Sequence, residues 1–492
     1  MQNSSTKNRR GPSPPPPTLP MPVTAKPYRH QQEAFDFVCK LFGLTDGKCL
    51  SPGAALLMEM GCGKTMVAIA VSGILYQFGL VGRVLVVAPL SLLGVWESEF
   101  SKFAHFPVSV TVLRGSAAKK EELLRQDAPA NGLQVVVVNY ESCWRMEAQL
   151  LKYGADLIIA DEGHKIKEAR TAQAKGLHSL GARAKYRLLL TGTLITNREI
   201  DVFSQYKFVN PRIFGASFYA FRNRYFDMGG YGLHTPIFKK YRTDEFLQRL
   251  HAVAYRVTKA EALDLPAVTE ETRFVDLEPK AARLYRELAK ESYAELANGE
   301  VSAVNILTRI LRLSQVTGGH VGDDDGGIHR VSTAKLEALA DILDSAVADG
   351  KKLVVMARFV PEMDDIRDML EKRGIGYAEV RGGVKDRAAE VERFQNDPEC
   401  KVFIGQIAAA GLGLTLTASD TMVFYSMDYS MSNFTQAQAR IHRIGAKDTC
   451  HYIYLVARGT IDEKVMAALR GKVDLAKALV DDHRKGRNPF NI

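Results

Sequence analysis

In Ala54–Thr65, AALLMEMGCGKT, an apolar run gives way to a glycine-bracketed turn, and Lys64 and Thr65 then open the apolar-periodic segment Met66–Tyr76. That pattern predicts a strand, a phosphate loop and a helix. Gly61 and Gly63 let the backbone curl so that its N–H groups face phosphate oxygens, and the helix opening at Lys64 turns its positive dipole end toward the same anion. Lys64 then neutralises the β- and γ-phosphates of a nucleotide, and the Thr65 hydroxyl holds Mg2+. The competing reading is a glycine turn ahead of an ordinary helix, because the general motif has another glycine where this chain has Met58.

Downstream, short apolar runs alternate with helical patterns: Val84–Ala88 then Leu92–Phe103, Val108–Leu113 then Ala117–Arg125, and Leu133–Val138 then Ser142–Leu151. Leu157–Ala160 and Leu188–Leu190 continue the series. Repeated strand-then-helix with nearly continuous apolar strands predicts an α/β fold with a parallel sheet buried on both faces, which takes ligands at the carboxyl ends of its strands. There the run DLIIA delivers Asp161-Glu162-Gly163-His164. Asp161 suits the Mg2+ shell and Glu162 the orientation or deprotonation of an attacking water. The alternative is a solvated acidic pair that caps the next segment. The strand YRLLL ends in Thr191-Gly192-Thr193, whose hydroxyls either report the state of the γ-phosphate to moving parts or form a common turn.

Upstream, HQQEAFDFVCKLF from His30 has Ala34, Phe35, Val38, Leu41 and Phe42 at helical spacing. The Gln31 amide, with one donor and one acceptor side, suits an adenine edge, against the reading of a surface glutamine. Residues 1–27 are rich in Ser, Asn and Pro, with Pro14–Pro17 in a row, and bury too little apolar surface to order themselves. They read as a disordered basic tail, or as a polyproline ligand for a protein partner.

The 492 residues exceed one ordinary core and suggest two or three domains, and 46% hydrophobic with 25% charged residues is a globular balance. Of the net charge of +9, Lys7, Arg9, Arg10 and Lys26 place +4 in the tail, so a polyanionic partner is compatible without being demanded. Six cysteines never form a C-x-x-C pair, so neither a zinc ribbon nor a disulfide framework is indicated, and a reduced compartment fits. No apolar run reaches the ~18 residues of a spanning helix and the start has no signal-peptide core, so the expectation is an intracellular chain without a membrane role.

Residues ~210–330 break the rhythm. Phe218–Pro236 is aromatic and glycine-rich, helical patterns follow at Glu245–Ala254, Pro279–Leu296 and Ala303–Leu313, and GDDDGG, Gly322–Gly327, reads as an exposed loop rather than a calcium site. A second α/β rhythm has a helix at Lys335–Val347 and strands at Leu353–Met356, Tyr377–Val380, Val402–Ile404, Met422–Tyr425 and Tyr452–Val456, without a second GKT. It carries QAQARIHRIG, Gln436–Gly445, where Arg440 and Arg443 share a face if helical; they read as arginines supplied to a γ-phosphate, or as a basic solvated helix end.

With these motifs in order over residues 28–470, the chain resembles the superfamily-two helicase-like ATPases of Swi/Snf type, in the compact branch of annealing helicases and bacterial or viral members. MEMGCGKT resembles DEMGLGKT, VLVVAPLSLLGVWESEF the strand-plus-tryptophan motif, ADEGHKIK the DEAHRLKN segment, and LLLTGTLITNREIDVFSQYKFVNP the LLLTGTP segment. YRVTKAEALDLP, STAKLEAL, IAAAGLGLTLTASDTMVFYSMDYS and QAQARIHRIGAKDTCHYIYLVARGTIDEKV complete the series. Met58, Gly163, Leu194, Ala439 and Ala446 depart from it, and none removes a phosphate, metal or arginine group; Cys62 replaces an apolar leucine and reads as a packing residue.

The resemblance implies two RecA-like lobes with parallel sheets, 28–210 and 331–470, a mainly helical insertion and linker at 211–330, and a C-terminal helix and basic tail at 471–492. It assigns ATP phosphates to Gly61, Gly63, Lys64 and Thr65, magnesium and water to Asp161 and Glu162, coupling to His164, Thr191, Thr193 and Gln436, and arginine fingers to Arg440 and Arg443. It implies a monomeric core that tracks double-stranded DNA with ATP as fuel, in a prokaryotic, viral or nuclear setting. Strand separation on RNA or DNA, and an ATP-gated scaffold closed on DNA, are the alternatives. Arg222, Arg224, Lys165 and Lys167 are candidate DNA contacts, through phosphates.

Overall fold

Side chains on a strand alternate between two faces, so a strand buried at every position must have both faces covered. In the computed structural model of the chain, β1 (Gly53–Met58) is buried throughout and β2 (Arg83–Ala88) at all but its first residue. The structure describes residues 19–125, 131–192, 194, 199–229, 235–262, 266–298, 303–323, 327–384, 386–410, 414–443, 445–446 and 448–471. Thr193, residues 324–326 of the acidic loop, residues 1–18 of the tail and residues 472–492 lie outside them.

Contacts divide the chain into two compact units: Met1–Met58, Gly63–Thr191 and Val202–Arg256 form the first, and Glu59–Cys62, Gly192–Asp201 and Val257–Ile492 the second. The first contains β3 (Val108–Val112), β4 (Leu133–Asn139), β5 (Leu157–Asp161), β6 (Tyr186–Leu190), an antiparallel hairpin of β7 (Phe226–Gly229) and β8 (Thr235–Phe238), and β9 (Ala254–Val257). Its seven-stranded sheet runs β3-β4-β2-β5-β6-β1-β9. Every expected strand of this half is present, and pairing is parallel from β3 through to β1. Leu56 of β1 is in register with Leu190 of β6, which is in register with Asp161 of β5. The phosphate loop, Thr191 and the acidic pair therefore leave the sheet together, at the carboxyl ends of β1, β6 and β5.

The second unit holds β10 (Val268–Val275), a short hairpin of β11 (His320–Gly322) and β12 (Ile328–Arg330), β13 (Leu353–Ala357), β14 (Gly376–Val380), β15 (Cys400–Gln406), β16 (Thr421–Phe424) and β17 (Cys450–Ala457). Its six-stranded sheet, β10-β17-β16-β13-β15-β14, is parallel at every pairing. Alternate residues sort to two cores: Val354, Met356, Phe403 and Met422 on one face, and Leu353, Val355, Val402 and Val423 on the other. Tyr285, Ile310, Leu313 and Val316 belong to the first of these cores. The helices Pro279–Asn298 and Ala303–Thr317, expected within an insertion, thus cover one face of the second sheet. The stretch 211–330 is divided between the units at Arg256/Val257, because an amphipathic helix shows that it buries a face without showing which sheet receives it.

Three local expectations are corrected. The helix read at Ser142–Leu151 is two helices, Tyr140–Arg145 and Glu147–Tyr153. The tail reading of 1–27 fails at Pro22–Thr24, where Thr24 N donates to Phe103 O and His105 N to Pro22 O, at 3.0 and 3.2 Å. Backbone pairing there needs no apolar burial. In the Gln436–Gly445 segment the helix ends at Gln438. All six cysteines are free, with Cys62 buried, and among the described residues no helix is long and apolar enough to cross a membrane.

Within the second unit, Glu362 is buried and its Oε2 accepts from the N–H groups of Arg358 and Phe359 and from the Ser426 hydroxyl, at 3.1, 3.0 and 2.5 Å. Burial raises its carboxyl to about 7 against these hydrogen bonds. Because the folded value lies above the unfolded one, the contribution to stability is full below the ordinary carboxylate range and is lost as pH rises through about 7. Urea unfolding of this unit should weaken by up to about 3 kcal/mol between about pH 5 and about pH 8. Glu362→Gln, which keeps an acceptor oxygen without the charge, should flatten that dependence.

Candidate active site

The helix Lys64–Gln77 starts from Gly63, whose φ of +83° and ψ of +33° are left-handed. The conformation favours glycine, and a Cβ there would lie 2.2 Å from Gln31 Nε2, so the Gln31 amide would have to shift for any other residue. The same contact brings Gln31 against the loop; its Oε1 accepts from Tyr28 N at 2.9 Å and the residue is buried. Lys64 Nζ donates to Met58 O at 2.8 Å, spanning the loop. That contact uses a main-chain oxygen, so an acidic side chain at position 58 is not needed for it. Thr65 follows in the first turn of the helix and is half-buried.

Asp161 ends β5 and is held on three sides. Its Oδ2 accepts from Trp96 Nε1 at 2.9 Å, its Oδ1 from Glu162 N at 2.9 Å, and its carbonyl from the Tyr140 hydroxyl at 2.7 Å. Burial raises the Asp161 carboxyl to about 6, the neighbouring Glu162 charge adds to the rise, and the Trp96 hydrogen bond and Lys64 oppose it. Glu162 is buried at φ +52°, the one non-glycine residue with positive φ among the described residues. A side chain in that conformation costs roughly 1 kcal/mol, which the surrounding structure must offset. His164 Nδ1 lies 3.2 Å from Glu162 Oε2. At Gly163, where the resembled motif has alanine, a Cβ would meet Leu189 Cδ1 at 2.4 Å. Thr191 is fully buried after β6 and donates its N–H to Leu56 O at 3.2 Å.

In the second unit, Gln436 lies buried on the helix Met431–Gln438. The helix stops there, so Arg440 and Arg443 do not share a helical face. Arg440 Nε donates to Gln436 O at 2.9 Å, taking with its side chain the carbonyl that a continuing helix would pair with backbone. Both arginines nonetheless converge, Arg440 Nη1 and Arg443 Nη1 donating to Leu414 O at 3.1 and 3.3 Å, and Arg443 also to Thr415 Oγ1 at 2.8 Å.

Residues 30–318 match the SNF2-related domain and residues 334–445 the helicase conserved C-terminal domain. The chain belongs to the SNF2-related family. This is a family of ATP-hydrolysing, helicase-like enzymes. The chain is 29% identical over 464 residues to an uncharacterized ATP-dependent helicase of Mycoplasma pneumoniae, covering 92% of this chain and 42% of that protein. It is 26% identical over 512 residues to the DNA repair and recombination protein RAD54-like of Drosophila persimilis, covering 94% and 64%. It therefore spans about half the length of these curated relatives. The solved Sulfolobus solfataricus SWI2/SNF2 ATPase core in complex with dsDNA aligns over 94% of this chain and 95% of that one, at 26% identity and a TM-score of 0.46.

The SNF2-related site fits a nucleotide and a hard divalent cation. No group of three or more His, Cys, Asp or Glu that could hold a metal occurs among the described residues. Magnesium held together with phosphates needs only one or two protein oxygens, such as those of Asp161 and Thr65. Two buried carboxylates side by side, one of them pushed up by the other, are also what a bound cation relieves. Trp96 and Tyr140 join the site through the tertiary structure. A tryptophan in a helical pattern gives no sign that its N–H reaches a carboxylate 65 residues away.

Proposed function

We propose that the chain hydrolyses ATP under stimulation by double-stranded DNA, moves along the duplex, and displaces or remodels complexes or branched DNA. The observation that supports this most is the acidic pair: Asp161 locked by Trp96 and Tyr140, and Glu162 held buried in a left-handed conformation, at the carboxyl ends of the strands, where the phosphate loop also departs. In this proposal Gly61, Gly63 and Lys64 hold the triphosphate, Gln31 reads adenine, and Thr65 and Asp161 would hold magnesium. Bound magnesium would neutralise charge on the β- and γ-phosphates. Glu162 orients the attacking water and takes its proton, His164 holds the Glu162 carboxylate, and Thr191, Thr193 and Gln436 respond to the γ-phosphate. Arg440 and Arg443 bring positive charge to that phosphate as its bond breaks.

ATP turnover measured with duplex DNA, single-stranded DNA and RNA at matched salt tests the reading. Strong activation by duplex DNA is the expected result, and activation by RNA alone would replace it with a strand-separating RNA helicase. Displacement of a third strand from a triplex should accompany turnover; little hydrolysis and no displacement would fit a scaffold. Arg443→Ala should still bind ATP yet lose roughly 10³-fold in DNA-stimulated turnover. Unchanged stimulation in that variant removes Arg443 from the reaction.

A further inference from the structure

Residues 202–256 carry nine lysines and arginines against three acids, Asp227, Asp244 and Glu245, within a chain whose whole net charge is +9. The positive charge is gathered rather than spread. One carboxylate, Glu245, receives Arg224 at 2.6 Å, Arg242 at 2.7 Å and Arg249 at 3.2 Å, and its Oε1 also accepts from the Tyr225 hydroxyl at 2.9 Å. Burial pushes the Glu245 carboxyl up, but the hydrogen bonds from Tyr225, Arg224 and Arg242 bring it to about 2, so it stays charged. Three guanidinium groups around a single carboxylate leave a surplus of positive charge, and the Arg224 and Arg249 side chains are 48% and 42% exposed.

Beside this cluster stands Tyr241, 76% exposed, more than any other large apolar or aromatic side chain among the described residues. Its ring is 5.7 Å from the Arg242 guanidinium carbon, and Lys240 next to it is exposed. The platform beneath is rigid: Phe246, in the helix Thr243–His251 that follows Tyr241, packs on Phe214, Tyr225 and Phe238 with ring centroids 5.1 to 5.4 Å apart. An isolated aromatic face beside clustered arginines matches the two surfaces of an unpaired nucleotide, the base and the phosphate. A duplex hides its base faces in the stack and leaves such a ring without a partner.

We propose that the Lys240–Arg242 corner, with Arg224 and Arg249 gathered on Glu245, binds unpaired DNA, the guanidinium groups on phosphates and the Tyr241 ring against a base. This rests on the reading of the chain as a DNA-driven motor and adds a contact for a single-stranded arm at a branch. The test is binding of the full chain to an oligothymidylate of about 20 nucleotides across a salt series, by fluorescence anisotropy. Tyr241→Ala should weaken binding about 10-fold without changing the salt dependence, and Tyr241→Phe, which keeps the ring, should restore it. Arg242→Ala should weaken binding and lower the slope of log affinity against log salt by about 0.7. Unchanged affinity in Tyr241→Ala, or an oligouridylate preferred over oligothymidylate, overturns the proposal. Failure of the motor reading shows separately, as absence of any DNA stimulation in the unaltered chain.

Discussion

Lys64→Ala is expected to lower ATP turnover by at least roughly 10²–10³-fold, the loss seen when a preorganised positive group is removed from developing phosphate charge. Two things disappear together: the ammonium itself, and the 2.8 Å bond from Lys64 Nζ to Met58 O that spans the phosphate loop. That hydrogen bond contributes only about 1 kcal/mol to the fold. The variant should therefore unfold at nearly the same urea concentration as the unaltered chain while failing to turn over ATP. Measuring both on one preparation separates the chemical loss from a folding loss, and near-normal turnover would remove Lys64 from the site.

For Glu162→Gln the expected loss is roughly 10²–10⁴-fold in turnover, the usual contribution of a positioned base, with ATP still bound. Glutamine keeps the volume and the hydrogen-bonding oxygen but takes no proton. Glu162 also sits at φ +52°, where glycine is the unstrained residue. Glu162→Gly should thus be as inactive as the glutamine variant, yet unfold no earlier than the unaltered chain. A residue kept in a strained conformation whose relief costs activity and not stability is one held there for its chemistry. If the glycine variant retained turnover, the strain would have another explanation and the base would lie elsewhere.

Much of this site could be read before any coordinates. Glycines at 61 and 63, a lysine opening a helix, and an acidic pair closing an apolar strand are local patterns, and local patterns report backbone conformation directly. What could not be read was allegiance. β10, VTEETRFV, is an edge strand exposed over most of its length, so it shows neither alternation nor an apolar run, within a stretch whose legible patterns are helical. The helix end at Gln438 is hidden for a different reason: it accompanies the Arg440 side chain taking the Gln436 carbonyl, and the spacing of Arg440 and Arg443 fits a helix equally well.

The chain's own order of residues settled two parallel sheets, the phosphate loop and the acid pair, because hydrophobic period and glycine placement act over a few neighbouring positions. Tertiary structure alone decided that Trp96 and Tyr140 clamp Asp161, and that the helices Pro279–Asn298 and Ala303–Thr317 line the second sheet. Each of these is a meeting of groups far apart in the chain, selected by shape and by the cost of leaving a buried polar group unpaired, and neither is written in local spacing.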